Sequence, residues 1–114
     1  MECFRISFEI IFSTPEAFSG FLEDLSRSLE EGSFHKIVKT LSTFIYGDDD
    51  TLIKIAFSEE SGFRSAQTVI GLGEIMLKAS GSIICLKPSK CAEIYEIVSE
   101  NAKNRRIRIR LIPG

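Results

Sequence analysis

The sequence predicts an α+β fold: one antiparallel sheet with its helices on a single face. Three stretches predict it. From Phe4 to Phe12 large apolar side chains occupy every second position, the period of a half-buried strand. Thr14-Pro15-Glu16 then has the chemistry of a helix start, with a hydroxyl cap and a proline whose missing N–H costs nothing at the first helical position. Gly47-Asp48-Asp49-Asp50 lies between two apolar segments and reads as the turn of a hairpin.

In the first strand Phe4, Ile6, Phe8, Ile10 and Phe12 share one face, and Arg5, Ser7 and Glu9 the other. Five large side chains on one face mark a central strand. In the helix after it, Phe18, Phe21, Leu22, Leu25 and Leu29 recur at helical spacing, and Gly32 is expected to end it in the left-handed conformation. Residues 35–46 read as a second strand, with Ile37, Leu41 and Ile45 on one face and Val38, Phe44 and Tyr46 on the other. The strand beyond the aspartate turn alternates Ile53, Ile55 and Phe57 with Lys54, Ala56 and Ser58.

Residues 63–79 read as a long helix capped by Ser58 or Ser61, with Glu59 and Glu60 favoured by the positive end of its dipole. Its apolar residues Phe63, Ala66, Val69, Ile70, Leu72, Met76, Leu77 and Ala79 cover an arc of roughly 200°, where a helix lying on one sheet needs little over 100°. The surplus apolar arc asks for a second contact, either under the C-terminal segment or at a subunit interface. A rival reading makes 74–87 a hairpin turning at Ser80-Gly81; the helix is preferred because the apolar pattern runs through Leu77. Residues 82–87 then form a short strand. A third helix opens at Pro88 and turns Cys91, Ile94, Tyr95, Val98 and Ala102 to one face. Last comes a strand in which Ile107, Ile109 and Leu111 alternate with Arg106, Arg108 and Arg110.

The first six elements run β-α-β-β-α-β, the split-βαβ or ferredoxin-like plan, and the final helix and strand are a C-terminal αβ extension. A chain of 114 residues suffices for one domain with a real core but not two, so residues 1–114 read as a single domain. Its apolar runs are too short to cross a membrane. The odd, widely spaced cysteines Cys3, Cys85 and Cys91 suggest no disulfide framework; they read as small packed hydrophobes in a reducing cytoplasm.

Residues 1–61 hold 5 basic and 12 acidic side chains, a balance of −7, and residues 62–114 hold 9 basic and 4 acidic, a balance of +5. Sites for chemistry do not assemble from the spacing. The single histidine, His35, has no triad context, and no Cys-x-x-Cys pair is present. Gly71-Leu72-Gly73 lies inside a helical pattern rather than after a strand, which is not a dinucleotide fingerprint. The aspartate run reads as a solvated turn, because a metal needs ligands converging from several positions. No cofactor, metal or catalytic group is therefore expected, and a binding or assembly module is preferred to an enzyme.

Two surfaces stand out. Arg106, Arg108 and Arg110, spaced about 7 Å apart on one strand face, suit nucleic-acid phosphates; equally, charge on an edge strand prevents sheet-to-sheet aggregation. The second surface is the surplus face of the 63–79 helix.

Phe12-Ser13-Thr14-Pro15-Glu16, Leu52-Ile53-Lys54-Ile55 and Phe63-Arg64-Ser65-Ala66 carry a family resemblance. Over residues 8–79 the chain resembles the small dimerising subunit of the KEOPS complex, the CTAG family, which assists transfer-RNA threonylcarbamoylation. The resemblance implies a non-catalytic, cytoplasmic subunit that dimerises and docks to an ATP-dependent catalytic subunit. It also places Phe63, Arg64, Gln67, Val69, Leu72 and Met76 on or near that docking surface. Two other readings compete: an RNA-binding ferredoxin-like protein, similar to ribonuclease P protein subunits, that uses Arg106 to Arg110 on transfer RNA or another RNA, and a regulatory domain that senses a small molecule.

Overall fold

A computed structural model describes residues 3–40, 42–57 and 76–113. Its elements are β1 (Phe4–Phe12), α1 (Pro15–Glu31), β2 (His35–Lys39), β3 (Thr43–Gly47), β4 (Thr51–Ala56), β5 (Leu77–Cys85), α2 (Pro88–Asn104) and β6 (Arg108–Ile112). The strands form one six-stranded sheet in the order β2-β3-β4-β5-β1-β6. Every neighbouring pair is antiparallel.

The α+β class and the antiparallel sheet agree with the sequence reading. The ferredoxin-like order does not. That plan has two strands between its two helices, whereas here four strands, β2 to β5, lie between α1 and α2, and the last helix and strand are no extension, because β6 pairs with β1 in the same sheet.

The alternation in β1 does what it predicts. Phe8, Ile10 and Phe12 are buried against the helices. Thr14 caps α1 by accepting from the Ala17 amide at 3.1 Å, with Pro15 in the first turn. Phe18, Phe21, Leu22, Leu25 and Leu29 are all buried. In α2 four of the five residues of the expected face, Cys91, Ile94, Val98 and Ala102, are buried together with Asn101, and Tyr95 is half-buried. The Asn101 amide donates to the Ile97 carbonyl and to Ser28 Oγ of α1, at 2.9 and 3.2 Å, so a buried polar group is hydrogen-bonded and ties the two helices together.

Several boundaries differ from the sequence reading. The single strand expected over 35–46 is a hairpin, β2 and β3. Thr40 closes its turn: its amide donates to the Thr43 carbonyl at 2.8 Å, and its hydroxyl accepts from the Thr43 amide at 3.0 Å. This is hydroxyl turn chemistry with no glycine or proline to announce it.

The helix expected over 63–79 lies outside the described residues up to 75. Beyond them the reading is overturned, since Leu77 and Ala79 belong to β5. Nor does a hairpin turn at Ser80-Gly81, because β5 runs straight through both. Gly81 pairs with Phe8, and a Cβ on Gly81 would strike the Phe8 ring. The glycine is there to admit a neighbour's side chain, one of the reasons a glycine sits inside a strand.

Both helices end alike. After α1 the left-handed residue is Ser33 (φ 76°), not Gly32 (φ −93°); after α2 it is Arg106 (φ 57°). Ser33 N–H donates to the Glu30 carbonyl and Phe34 N–H to that of Leu29. Arg106 N–H and Ile107 N–H do the same to Lys103 and Ala102. This is the Schellman pattern, completed in each case by a buried apolar residue, Phe34 or Ile107. Arg106 is therefore a turn residue and not part of the last strand.

Cys85 and Cys91 form a disulfide with Cα atoms 5.8 Å apart, joining the end of β5 to the first turn of α2. Both are buried, as the sequence reading has them, but bonded, which it does not. Closing so short a loop removes about 2 kcal/mol of unfolded-chain entropy. Cys3 is a free, exposed thiol. Among the described residues no helix is long and apolar enough to cross a membrane.

Candidate interaction surfaces

The helices cover one face of the sheet, and strand parity defines the other. Arg5, Ser7, Glu9 and Ile11 of β1 register with Ile84, Ser82, Ser80 and Lys78 of β5. Leu52, Lys54 and Ala56 continue the face on β4, and Arg108, Arg110 and Ile112 on β6. Arg5, Leu52, Lys54, Ser80, Arg108, Arg110 and Ile112 are exposed.

The expected arginine row is reduced on this surface. Arg106 is in the turn, leaving Arg108 and Arg110 on the strand. Arg110 donates to the Glu9 carboxylate at 2.6 Å, a pairing across β1 and β6 set by their register. Arg105 is likewise engaged: it lies over Gly20 of α1 and donates to Asp24 at 2.8 Å. That bond holds the Asp24 carboxyl below the usual carboxylate range, against a smaller upward push from burial.

The aspartate turn is occupied by structural work. Asp48 Oδ1 accepts from the Asp50 amide at 3.1 Å, and Asp50 Oδ1 accepts from the Thr51 hydroxyl at 3.0 Å. Asp48 also meets Lys90 of α2 at 3.4 Å. Burial pushes the Asp48 carboxyl up, but the Asp50 amide and Lys90 together leave it lowered. Beside this turn a recess of about 490 Å³ is lined by His35, Ile37, Leu52, Ile84 and Cys3. Among the described residues no three His, Cys, Asp or Glu side chains gather as metal ligands do.

The two sheet edges differ. β2 carries a register shift between Lys36 and Val38, the kind of bulge that blunts an edge. β6 pairs over five residues with β1, and its outer side ends in Leu111 and Ile112, 53% and 40% exposed. Sequence reading places Leu111 on the buried side of the last strand. It does lie on the helix side, opposite Phe8, but at the margin of the sheet beyond the cover of the helices.

Of the interface residues the resemblance implies, Phe63, Arg64, Gln67, Val69 and Leu72 lie outside the described residues. Met76 is half-buried immediately before β5, not on a helix.

No family model matches this chain, and no curated protein does. Solved structures do match. One is AtUAH, a ureidoglycolate amidohydrolase, in a crystal structure with (S)-hydroxyglycine. It aligns with a TM-score of 0.54 at 8% identity, over 96% of this chain and 27% of that one. At that identity the likeness is one of fold alone: this chain has the architecture of a part of a larger protein.

Proposed function

We propose that this chain is a non-catalytic assembly subunit that dimerises and docks to a larger partner, in the manner its resemblance to the KEOPS small subunit implies. One observation carries the reading: the exposed Leu111-Ile112 pair on the edge strand β6. An edge presents a row of N–H and C=O groups ready to pair with another chain. Protected edges carry bulges, prolines or inward charges. At β6 the charge is partly spent, since Arg110 is held by Glu9; Arg108 keeps its charge at the start of the strand, and the two large exposed side chains at its end, Leu111 and Ile112, are aliphatic.

Antiparallel pairing of β6 with β6 of a second copy continues the sheet about a two-fold axis. It satisfies both edges and brings two aliphatic pairs out of water. Such an isologous contact closes on itself and yields a dimer rather than a fibre. The resemblance then supplies the partner, the ATP-dependent catalytic subunit of a tRNA-threonylcarbamoylating assembly.

The test is purification of the tagged chain from its native host in the wild-type and Leu111→Glu forms. The reading predicts that the wild type retains the KEOPS ATPase subunit and an untagged copy of itself, and that the variant loses the untagged copy. A wild-type chain that recovers neither would overturn it.

A further inference from the structure

Charge is sorted between the two faces of the molecule. α1 carries five acidic residues (Glu16, Glu23, Asp24, Glu30, Glu31) against one basic, Arg27. α2 carries three acidic residues against Lys90 and Lys103. Among the described residues the helix-free face of β4, β5, β1 and β6 reverses this balance: Arg5, Lys54, Lys78, Arg108 and Arg110 are basic and only Glu9 is acidic. Glu9 is already matched by Arg110. A chain of net charge −2 thus presents a basic sheet face opposite an acidic helix layer.

We propose that this helix-free face binds the sugar–phosphate backbone of A-form, double-stranded RNA. The register spreads the cations out. Lys78 and Arg108 face each other across Ile11, two strands apart, or about 10 Å. Lys54 registers with Ser82, four residues along β5 from Lys78, or about 13 Å further up the sheet. Cations so placed cannot converge on one small anion, but they suit a polyanion whose phosphates repeat along a surface.

Between them stand hydroxyls. Ser82 and Ser7 are register partners, and Ser80 is the partner of Glu9. Among the described residues no aromatic ring stands on this face: the sheet aromatics Phe4, Phe8, Phe12, Phe44 and Tyr46 are on the helix side. Single-stranded binding relies on such rings, whereas duplex RNA is recognised through phosphates and 2′-hydroxyls across its wide, shallow minor groove. A sheet face fits that groove and is too broad for the major groove of DNA, which admits a helix or a two-stranded ribbon. A second copy laid face to face would set like charges against each other, so the proposal does not depend on the assembly reading, although Arg108 and Arg110 bring the face up to the β6 edge.

The experiment is fluorescence anisotropy with a ~20-bp RNA duplex and a DNA duplex of the same sequence, between about 50 and 200 mM salt. The full chain is compared with Arg5→Glu/Lys54→Glu, both at exposed positions outside β6, and with Leu111→Glu. The wild type should bind the RNA duplex with a log–log salt slope of about −3, and the double variant should bind at least about tenfold more weakly with a slope nearer −1. Leu111→Glu should weaken binding far less, which separates this surface from the dimer edge. The proposal is overturned if RNA does not bind at low salt, if the double variant binds as the wild type does, or if DNA binds as tightly as RNA. It is also overturned if the double variant proves to break a contact between copies instead.

Discussion

At the scale of single residues, Arg106 shows how a side chain's apparent role can be set by its backbone. Its spacing with Arg108 and Arg110 suggests a phosphate-reading row, but its φ of 57° belongs to the turn that ends α2. A left-handed L-residue costs roughly 1–2 kcal/mol that glycine does not incur. Arg106→Gly should therefore raise stability, by up to about 1 kcal/mol once the added freedom of the unfolded glycine is deducted; urea denaturation will read this as a higher midpoint at unchanged slope. A loss of stability would mean that the guanidinium holds something the turn needs. Asp24 gives a prediction with a pH sign. Its folded carboxyl is lowered from 3.8, chiefly by the hydrogen bond from Arg105. The unfolded chain therefore takes up the proton first, so the contribution is complete above 3.8 and is lost as pH falls through the lower folded value. Asp24→Asn should be less stable than wild type at neutral pH and should converge with it in strong acid, with the exposed setting keeping the difference small. A gap that persists at low pH would show that charge is not its origin.

At the scale of elements, β1, α1 and α2 were legible because each obeys one period from end to end. In β1 every second residue is large and apolar, and the helix starts have Thr14 or Pro88 at the expected places. β5 was not legible. Its burial alternates as a strand's should, yet the residues that alternate are Leu77, Ala79, Gly81 and Ile83. Small side chains give a faint period-two signal, and Ala, Lys and Leu also favour helix. Gly81 then looks like punctuation, when its task is to leave room for the ring of Phe8. Gly81→Val should cost about 1–3 kcal/mol, the usual penalty for forcing volume into a packed core, because Phe8 is fully buried and has nowhere to retreat. A thermal melt that matches wild type would show that the ring can move aside. The β2–β3 turn is masked in the sequence for a similar reason: a threonine hydroxyl closes it, and threonine also favours strands.

At the scale of the whole molecule, sequence periodicity identifies the two sides of each strand but not which strands lie side by side. Lys54 and Arg5 were assignable to outward faces from alternation alone. That they share a surface with Lys78 and Arg108 follows only from the order β4-β5-β1-β6. The same order makes β6 an edge and leaves Leu111 and Ile112 uncovered. On the two proposals, the basic sheet face takes a polyanion and the β6 edge takes a like strand. The most direct test of the assembly account is the mass of the purified chain in solution by light scattering, wild type beside Leu111→Glu. The account predicts twice 12.8 kDa for the wild type, and 12.8 kDa with an unchanged circular dichroism spectrum for the variant. A wild type that is monomeric at all concentrations, or a variant that remains a dimer, would contradict it.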